Sequence, residues 1–456
     1  MKRGEIKAVI LEVHPDAAAN FDEKANSLLL ELGPVPPRTP ATPPFRSDPF
    51  VAAHITDADI LGEVRLGLVD GVGAEVGKHF IDGGRIIGLE GEAFKRLIKI
   101  SEGLQRTKEL KEKVSTDLIT NLIFDWMRQR YQKRTNLSMV KYVLEKAAQA
   151  IRDQEIWIPI AELRIQSDFR IGKITLRSIT SEMFERWVED ANRAEPQHRK
   201  NLQELLERER KKFQSLAAAT ITLTAEPERA RQLAFEETED AIALLRFFSV
   251  ANQSPELVSY CTVLGKGSRQ TTTHLTIRNG QLVGINSRVV DRAPSEWNIS
   301  ESDVALFNNA GLEALSRVLR NEDRSSYQQR VLDALLLYSR SCLAKELPDK
   351  LIYILVPLES IFLKNEAEPV QQTIAERIAF FMADRASERR RIIGIVKEAY
   401  SFRSSFLHHG KSVEDVETLR VFMRTAWECF CYLIQNMERF HTVEQLLSGI
   451  DEAKLS

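Results

Sequence analysis

The sequence predicts an α+β chain of several domains that is mainly helical. Its length of 456 residues exceeds what one domain needs, and its 43% hydrophobic residues supply apolar surface for several cores. Strand-like alternation is concentrated in the middle of the chain, whereas apolar residues recur at helical spacing before and after it. We therefore predict an N-terminal region at residues 1–155, an α+β domain at 156–300 and a helical bundle at 301–456.

Composition restricts the function classes. A net charge of −2 argues against coating nucleic acid with the whole surface, so any such contact should be confined to one local basic site. The apolar run in MKRGEIKAVILEV is interrupted by Glu12 and lacks a cleavage pattern, and no run of about 18 apolar residues occurs, so we expect a cytoplasmic protein without membrane contact. Neither a metal site nor a cofactor is predicted, since four cysteines show no ligand spacing and should pack in cores: Cys261, Cys342, Cys429 and Cys431.

The N-terminal region should contain a short strand within residues 1–13, a proline-rich linker at 33–50 and a helical segment at 90–153. Between them, VDGVGAEVGKHF resembles a phosphate loop only superficially. Val72 stands where the first glycine belongs, and His79 replaces the serine or threonine. We expect a glycine-rich turn there.

The central domain is expected to alternate strands and helices. Predicted strands are IWIPIAELRIQ, FRIGKITLRSI, TITLTA, ELVSYCTVLG and the hairpin TTTHLTIRNGQLVGI. One helix should run over about 182–213, and another over EPERARQLAFEETEDAIALLRFF, with Pro227 in its first turn.

The C-terminal third is predicted to be helical throughout. A linking helix at 303–320 should lead into five helical segments joined by short turns: 331–344, 350–364, 370–382, 388–408 and 413–440. The last carries a long apolar stripe that packs on the bundle or on a partner chain.

The segment 388–408 carries the chemistry. Its apolar stripe is predicted to be Ile395, Ala399, Phe402 and Phe406, and a polar, basic stripe ends at His408. Arg403 lies between the two faces, where a half-buried guanidinium needs an anion from the protein or from a ligand. An ordinary interpretation also exists, because histidines in a last turn suit the helix dipole.

These residues carry a resemblance to a known family. Arg403, four intervening residues and His408 fit the R-x4-6-H signature of HEPN domains. The chain from about Tyr327 onward resembles the Apea-like branch in ALLLYSRSCLAKELPDK, LIYILVPLESIFL, ERIAFFM and RSSFLHHG. The resemblance implies a HEPN-type helical bundle and a metal-independent endoribonuclease, with His408 in acid-base catalysis and Arg403 on the phosphate. It also implies a homodimer in which two motifs face each other.

Several neighbouring residues are candidates for supporting roles. Ser404 stands where HEPN nucleases often carry Asn, Asp or His, and His409 is a second imidazole. Glu359 lies in an apolar segment and should have a basic partner, either Arg403 or Arg377. Three basic residues would flank the cleft and bind RNA phosphates: Arg390, Arg391 and Lys397.

The leading hypothesis is therefore an antiphage or toxin-type effector that cuts RNA, with N-terminal domains that sense a phage or protein trigger. The first alternative is a non-catalytic HEPN module that binds RNA or protein. The second is a helical scaffold in which Arg403 only completes a core ion pair.

Overall fold

The computed structural model shows two compact units. It describes residues 10–35, 65–69, 75–193, 196–267, 271–278, 281–289, 296–365, 367–409 and 415–455. The first unit comprises Met1–Gln154 and Thr222–Leu233, and the second comprises Glu155–Ile221 and Ala234–Ser456. Most described residues are helical and the sheets are small, which confirms a mainly helical α+β fold.

The first unit combines a small antiparallel sheet with helices. Its strands run in the order β1-β4-β3-β2: β1 (Gly33–Pro34), β2 (Arg65–Val69), β3 (Glu75–Asp82) and β4 (Arg85–Glu90). Its helices are α1 (Pro15–Leu29), α2 (Gly91–Gln105), α3 (Lys108–Lys111), α4 (Thr116–Tyr131) and α5 (Met139–Ala150). A single apolar core joins them, and Leu97, Ile123 and Val143 in that core are fully buried.

The glycine-rich turn predicted around residues 69–80 is wrong in its second half, because β3 occupies Glu75–Asp82. His79 of β3 lies opposite Gly88 of β4, and a Cβ at Gly88 would approach the imidazole to 2.1 Å. Glycine at 88 therefore lets a buried histidine fit on the sheet. Residues 70–74 and 36–50, the latter within the predicted linker, lie outside the described part of the chain, as do residues 1–9; residues 10–13 do not form a strand.

The sheets that lie mainly in the second unit are small, and two of their strands, β5 and β9, each have one end in the first unit. A four-stranded sheet has the order β5-β9-β8-β7, and β6 pairs in parallel with β12, while β10 and β11 form the predicted antiparallel hairpin. The strands are β5 (Arg152–Pro159), β6 (Leu163–Ile165), β7 (Phe169–Ile171), β8 (Ile174–Ser178), β9 (Ala217–Ala225), β10 (Thr271–Arg278), β11 (Gln281–Val289) and β12 (Trp297–Ile299).

The strand predicted at ELVSYCTVLG does not form over residues 256–262. Side chains and a loop carbonyl bond several of its backbone groups, and only residues 262–264 bond to residues 159–161 at the end of β5. The Ser259 amide donates to the Cys342 carbonyl, and the carbonyls of Leu257 and Cys261 accept from Lys350 and Arg246. The segment is buried against helices, so its apolar alternation reflects packing and not sheet pairing.

Eleven helices of the described chain lie wholly or mainly in the second unit. They are α6 (Ser181–Asn192), α7 (Pro196–Phe213), α8 (Pro227–Arg246, which begins in the first unit), α9 (Glu301–Asn309), α10 (Leu312–Arg320), α11 (Ser326–Tyr338), α12 (Leu347–Phe362), α13 (Val370–Met382), α14 (Ala386–His409), α15 (Val416–Gln435) and α16 (Val443–Leu455).

Two predicted long helices are each divided in two. The one predicted at 182–213 is interrupted before Pro196, which begins α7 because proline suits a first turn and not an interior. The one predicted at 303–320 is interrupted at Gly311, whose φ of 113° is left-handed and whose Cβ would lie 2.5 Å from Ile434. The final segment ends at Gln435, and α16 was not predicted.

The buried face of α14 differs from the predicted stripe. Ile392, Val396, Ala399 and Tyr400 are buried, whereas Ile395, Phe402 and Phe406 are only half-buried. The buried face is therefore rotated toward Tyr400. This rotation brings the Tyr400 hydroxyl toward α12 and the site described next.

Candidate functional site

An ion pair between α12 and α14 forms the centre of the candidate site. Arg403 Nη1 donates to Glu359 Oε1 at 2.5 Å. The Tyr400 hydroxyl donates to the same carboxylate oxygen at 2.9 Å. Two donors from one helix thus hold one carboxylate of the other.

The local sequence explains why these groups meet. Tyr400 and Arg403 are three residues apart, so they share a face of α14. On α12, Glu359 follows the fully buried Leu358 and precedes the fully buried Ile361 by two residues. The packing of these apolar neighbours fixes the carboxylate at the edge of the core, where its side chain is 18% exposed. Arg403 is 28% exposed, so it remains in contact with solvent.

The Tyr400 hydroxyl is a stable donor. Burial raises the pKa of this phenol, and the adjacent Glu359 carboxylate raises the pKa further. Tyr400 therefore stays protonated through the neutral range and keeps its hydrogen bond. Tyr400 was not predicted as a site residue from the sequence, although its position three residues before Arg403 on one helix indicates a shared face.

The structure decides between the two basic partners considered for Glu359. Arg403 is the partner, whereas Arg377 is engaged elsewhere. Arg377 Nη1 and Nη2 donate to Glu368 at 2.9 and 2.8 Å, and Nη1 also donates to the Phe362 carbonyl at 2.6 Å. Arg377 therefore stabilises the bundle through these contacts, and Arg403 is the basic partner of Glu359.

His408 and His409 lie in the last turn of α14, which continues unbroken from Arg403 to His409. Their side chains, and Gly410, lie outside the described part of the structure. Positions five apart on an α-helix differ by about 140° around its axis, so the backbone positions 403 and 408 lie on different sides of α14. Ser404, directly after Arg403, is exposed on the helix surface.

The residues predicted to bind phosphates differ in their surroundings. Arg390 is exposed, Arg391 is 54% exposed and pairs with Glu388 at 2.8 Å, and Lys397 is half-buried. Their neighbour Arg389 is occupied within the bundle, since it donates to the Ala383 carbonyl and lies 3.9 Å from the Phe380 ring centre. Arg390, Arg391 and Lys397 therefore reach the surface of α14, whereas Arg389 is engaged within the bundle.

Metal-binding and thiol chemistry find little support in the described residues. No group of three or more His, Cys, Asp or Glu side chains there is placed to hold a metal ion. All four cysteines are free, and Cys261, Cys342 and Cys429 are buried. Burial raises the pKa of the Cys261 and Cys431 thiols to about 12, so neither is a reactive thiolate near neutral pH.

Comparison with known proteins finds no family model, no curated protein and no solved structure that matches this chain. Within the described residues, no helix has both the length and the apolar character needed to cross a membrane.

Proposed function

We propose that the chain is a metal-independent endoribonuclease with a C-terminal HEPN-type helical bundle. The observation that carries the proposal is the state of Arg403. One guanidinium nitrogen is fixed by Glu359, while the side chain remains 28% exposed. A guanidinium held in this way has further donors that can bind two phosphate oxygens without first becoming ordered.

The chemistry needs no metal, because RNA carries its own nucleophile. A general base removes the proton of the 2′-hydroxyl, and the 2′-oxygen bonds to phosphorus. The bond from phosphorus to the 5′-oxygen breaks, and a general acid protonates that oxygen, leaving 2′,3′-cyclic phosphate and 5′-hydroxyl ends. In this proposal His408 performs proton transfer and Arg403 stabilises the charge on the phosphate oxygens.

A second copy of the chain completes the site in this proposal. Because α14 is continuous through both residues, Arg403 of one copy and His408 of the other are expected to face one phosphate. Arg390, Arg391 and Lys397 would hold adjacent phosphates, and Ser404 and His409 would line the same cleft.

The biological role we propose is a cytoplasmic effector of the antiphage or toxin kind. The regions before the bundle would respond to a phage or protein trigger and restrain the nuclease until then. This role depends on the nuclease proposal and is tested after it.

One observation favours a second candidate, a non-catalytic module that binds RNA or protein. Glu359 already neutralises Arg403 within the fold, and Ser404 is a weaker polar group than Asn, Asp or His. A pure scaffold role for Arg403 would use the same ion pair. RNA binding without cleavage distinguishes the module from both other functions.

The test is RNA cleavage by the full chain in excess chelator. We expect products with 2′,3′-cyclic phosphate ends, and we expect Arg403→Ala and His408→Ala each to lower the rate at least ~10²-fold. Arg424→Ala and His441→Ala are matched controls, since both residues are exposed in the same unit, and they should cut like the wild type.

Two outcomes would contradict the proposal. The first is RNA that stays intact both with purified protein and in cells that overproduce it. The second is cleavage that persists in Arg403→Ala or His408→Ala when circular dichroism shows both variants folded.

A further inference from the structure

A cavity lies apart from the Arg403 site, within the second unit. It has a volume of about 570 Å³ and is lined by α8, α11, the N-terminal half of α12 and the segment 262–266. Its lining mixes apolar side chains such as Ile242 and Leu336 with charged ones. None of these groups has a role in the proposed nuclease.

Arg246, at the end of α8, is the unusual member of the lining. It is 8% exposed, and its Nη1 donates to the Cys261 carbonyl at 3.0 Å. Its Nε is buried and has no hydrogen-bond partner in the described structure. No carboxylate among the described residues lies within ion-pair distance of it.

Burying a cation without an anionic partner costs free energy, so the charge state of the groups around Arg246 matters. Two buried thiols, those of Cys261 and Cys342, interact electrostatically with Arg246. Burial raises the pKa of Cys342, and it raises the pKa of Cys261 to about 12, so both are neutral at physiological pH. Among the described residues, no anionic group therefore forms an ion pair with Arg246.

The other charged groups limit what could fill the cavity. Lys266 pairs with Glu239, which leaves Arg246 and Arg340 against Asp240 and Asp349. Arg340 is exposed and has no ion pair among the described residues. Burial raises the pKa of the Asp240 carboxyl, and Glu237 and Glu239 raise it further. Two cations and two acids disfavour a polyanion and favour a ligand with one acidic group.

We propose that this cavity binds a small organic acid, whose single carboxylate or phosphate group pairs with Arg246 and whose apolar body lies against Ile242, Leu336 and Tyr353. The half-buried Tyr353 of α12 offers a ring for planar ligands. Arg340 contributes a second positive charge from the exposed part of the lining.

Calorimetric titration of the full chain tests this with four probes. Phenyl phosphate and benzoate each carry an anion on an apolar body and distinguish phosphate from carboxylate. Inorganic phosphate lacks the body, and benzyl alcohol lacks the charge. We expect saturable binding of at least one of the first two, and binding at least about tenfold weaker for the last two.

Variants locate the site. Arg246→Met should weaken binding about tenfold or more, and Arg340→Glu, at an exposed position that folding tolerates, should weaken it in the same direction. Arg330→Ala, an exposed arginine on α11 outside the cavity, should bind like the wild type. Absence of binding by both aromatic acids, equal binding of inorganic phosphate, or affinity unchanged by Arg340→Glu would each overturn the proposal.

Discussion

Two arginines of the second unit occupy opposite electrostatic situations. Arg403 is 28% exposed and shares the Glu359 carboxylate with Tyr400, whereas Arg246 is 8% exposed, donates to the Cys261 carbonyl and forms no ion pair among the described residues. The first is stabilised within the fold and can offer its spare donors to an outside phosphate. Burying the second without an anion costs free energy, and a bound anion would offset that cost. A paired arginine thus suits catalysis, and an unpaired one suits ligand capture.

The largest expected effect on the free energy of unfolding involves another buried cation, Lys350. It is fully buried and its Nζ donates to the Leu257 carbonyl at 2.5 Å. Burial lowers its pKa from 10.5 to about 8. Between these values the unfolded chain holds a proton that the folded chain has released, so stability rises with pH across this window, by about 3 kcal/mol in total.

Urea unfolding at intervals from pH 7.5 to 10.5 measures this effect. Lys350→Met should lack the rise that the wild type shows, which separates Lys350 from other groups that titrate in the window. Parallel pH curves for the two proteins would show that Lys350 is not held with a lowered pKa.

The next effect contrasts the two arginines directly. Arg403→Met leaves the half-buried Glu359 carboxylate without its cation, so we expect a loss of about 1–3 kcal/mol in the free energy of unfolding. Arg246→Met removes a buried charge and leaves one carbonyl without a donor, and these opposing terms should keep the change within about 1 kcal/mol. Denaturant midpoints of both variants provide the measurement. Equal losses of stability in the two variants would contradict this contrast between Arg403 and Arg246.

A smaller effect concerns the hydroxyl of Tyr400. Tyr400→Phe removes one hydrogen bond to a charged acceptor and retains the ring, so stability should fall by about 1 kcal/mol. RNA cleavage should fall less than in Glu359→Gln, because Arg403 keeps its carboxylate. A Tyr400→Phe loss that is unchanged in the Glu359→Gln background would mean that the two groups act independently.

The smallest effect on folding is expected at Arg390 and Arg391. Both are surface residues of α14, so Arg390→Ala and Arg391→Ala should leave the unfolding midpoint unchanged. Each should weaken RNA binding for all sequences alike and reduce the salt dependence, by about 0.7 in the slope of log K against log salt for each lost phosphate contact. If the salt dependence of RNA binding is unchanged in both variants, Arg390 and Arg391 do not contact RNA phosphates.

The sequence could predict what depends on local spacing. The placement of Arg403 and His408 on one helix follows from periodicity, and the need of Glu359 for a basic partner follows from its apolar neighbours. Tertiary packing decided the rest. Arg246 gave no signal, because the lack of a carboxylate partner is visible only in three dimensions.

The errors in the fold have the same origin. ELVSYCTVLG alternates like a strand, yet buried Lys350 and Arg246 donate to two of its carbonyls, and its pairing is limited to isolated bridges such as that of Val263 with Ile160. The break at Gly311 depends on its close approach to Ile434, more than a hundred positions later. Local sequence patterns therefore predict the presence of helices more reliably than the positions at which they are interrupted.

The most direct test of the composite nuclease site uses mixed chains. Arg403→Ala and His408→Ala chains are produced together with different affinity tags, and dimers that carry both tags are isolated. We expect each variant alone to be inactive, and we expect the mixed dimer to cleave RNA, because one intact Arg403 and one intact His408 meet across the interface. An inactive mixed dimer, or a wild type that cleaves RNA while light scattering shows only monomers, would contradict the account.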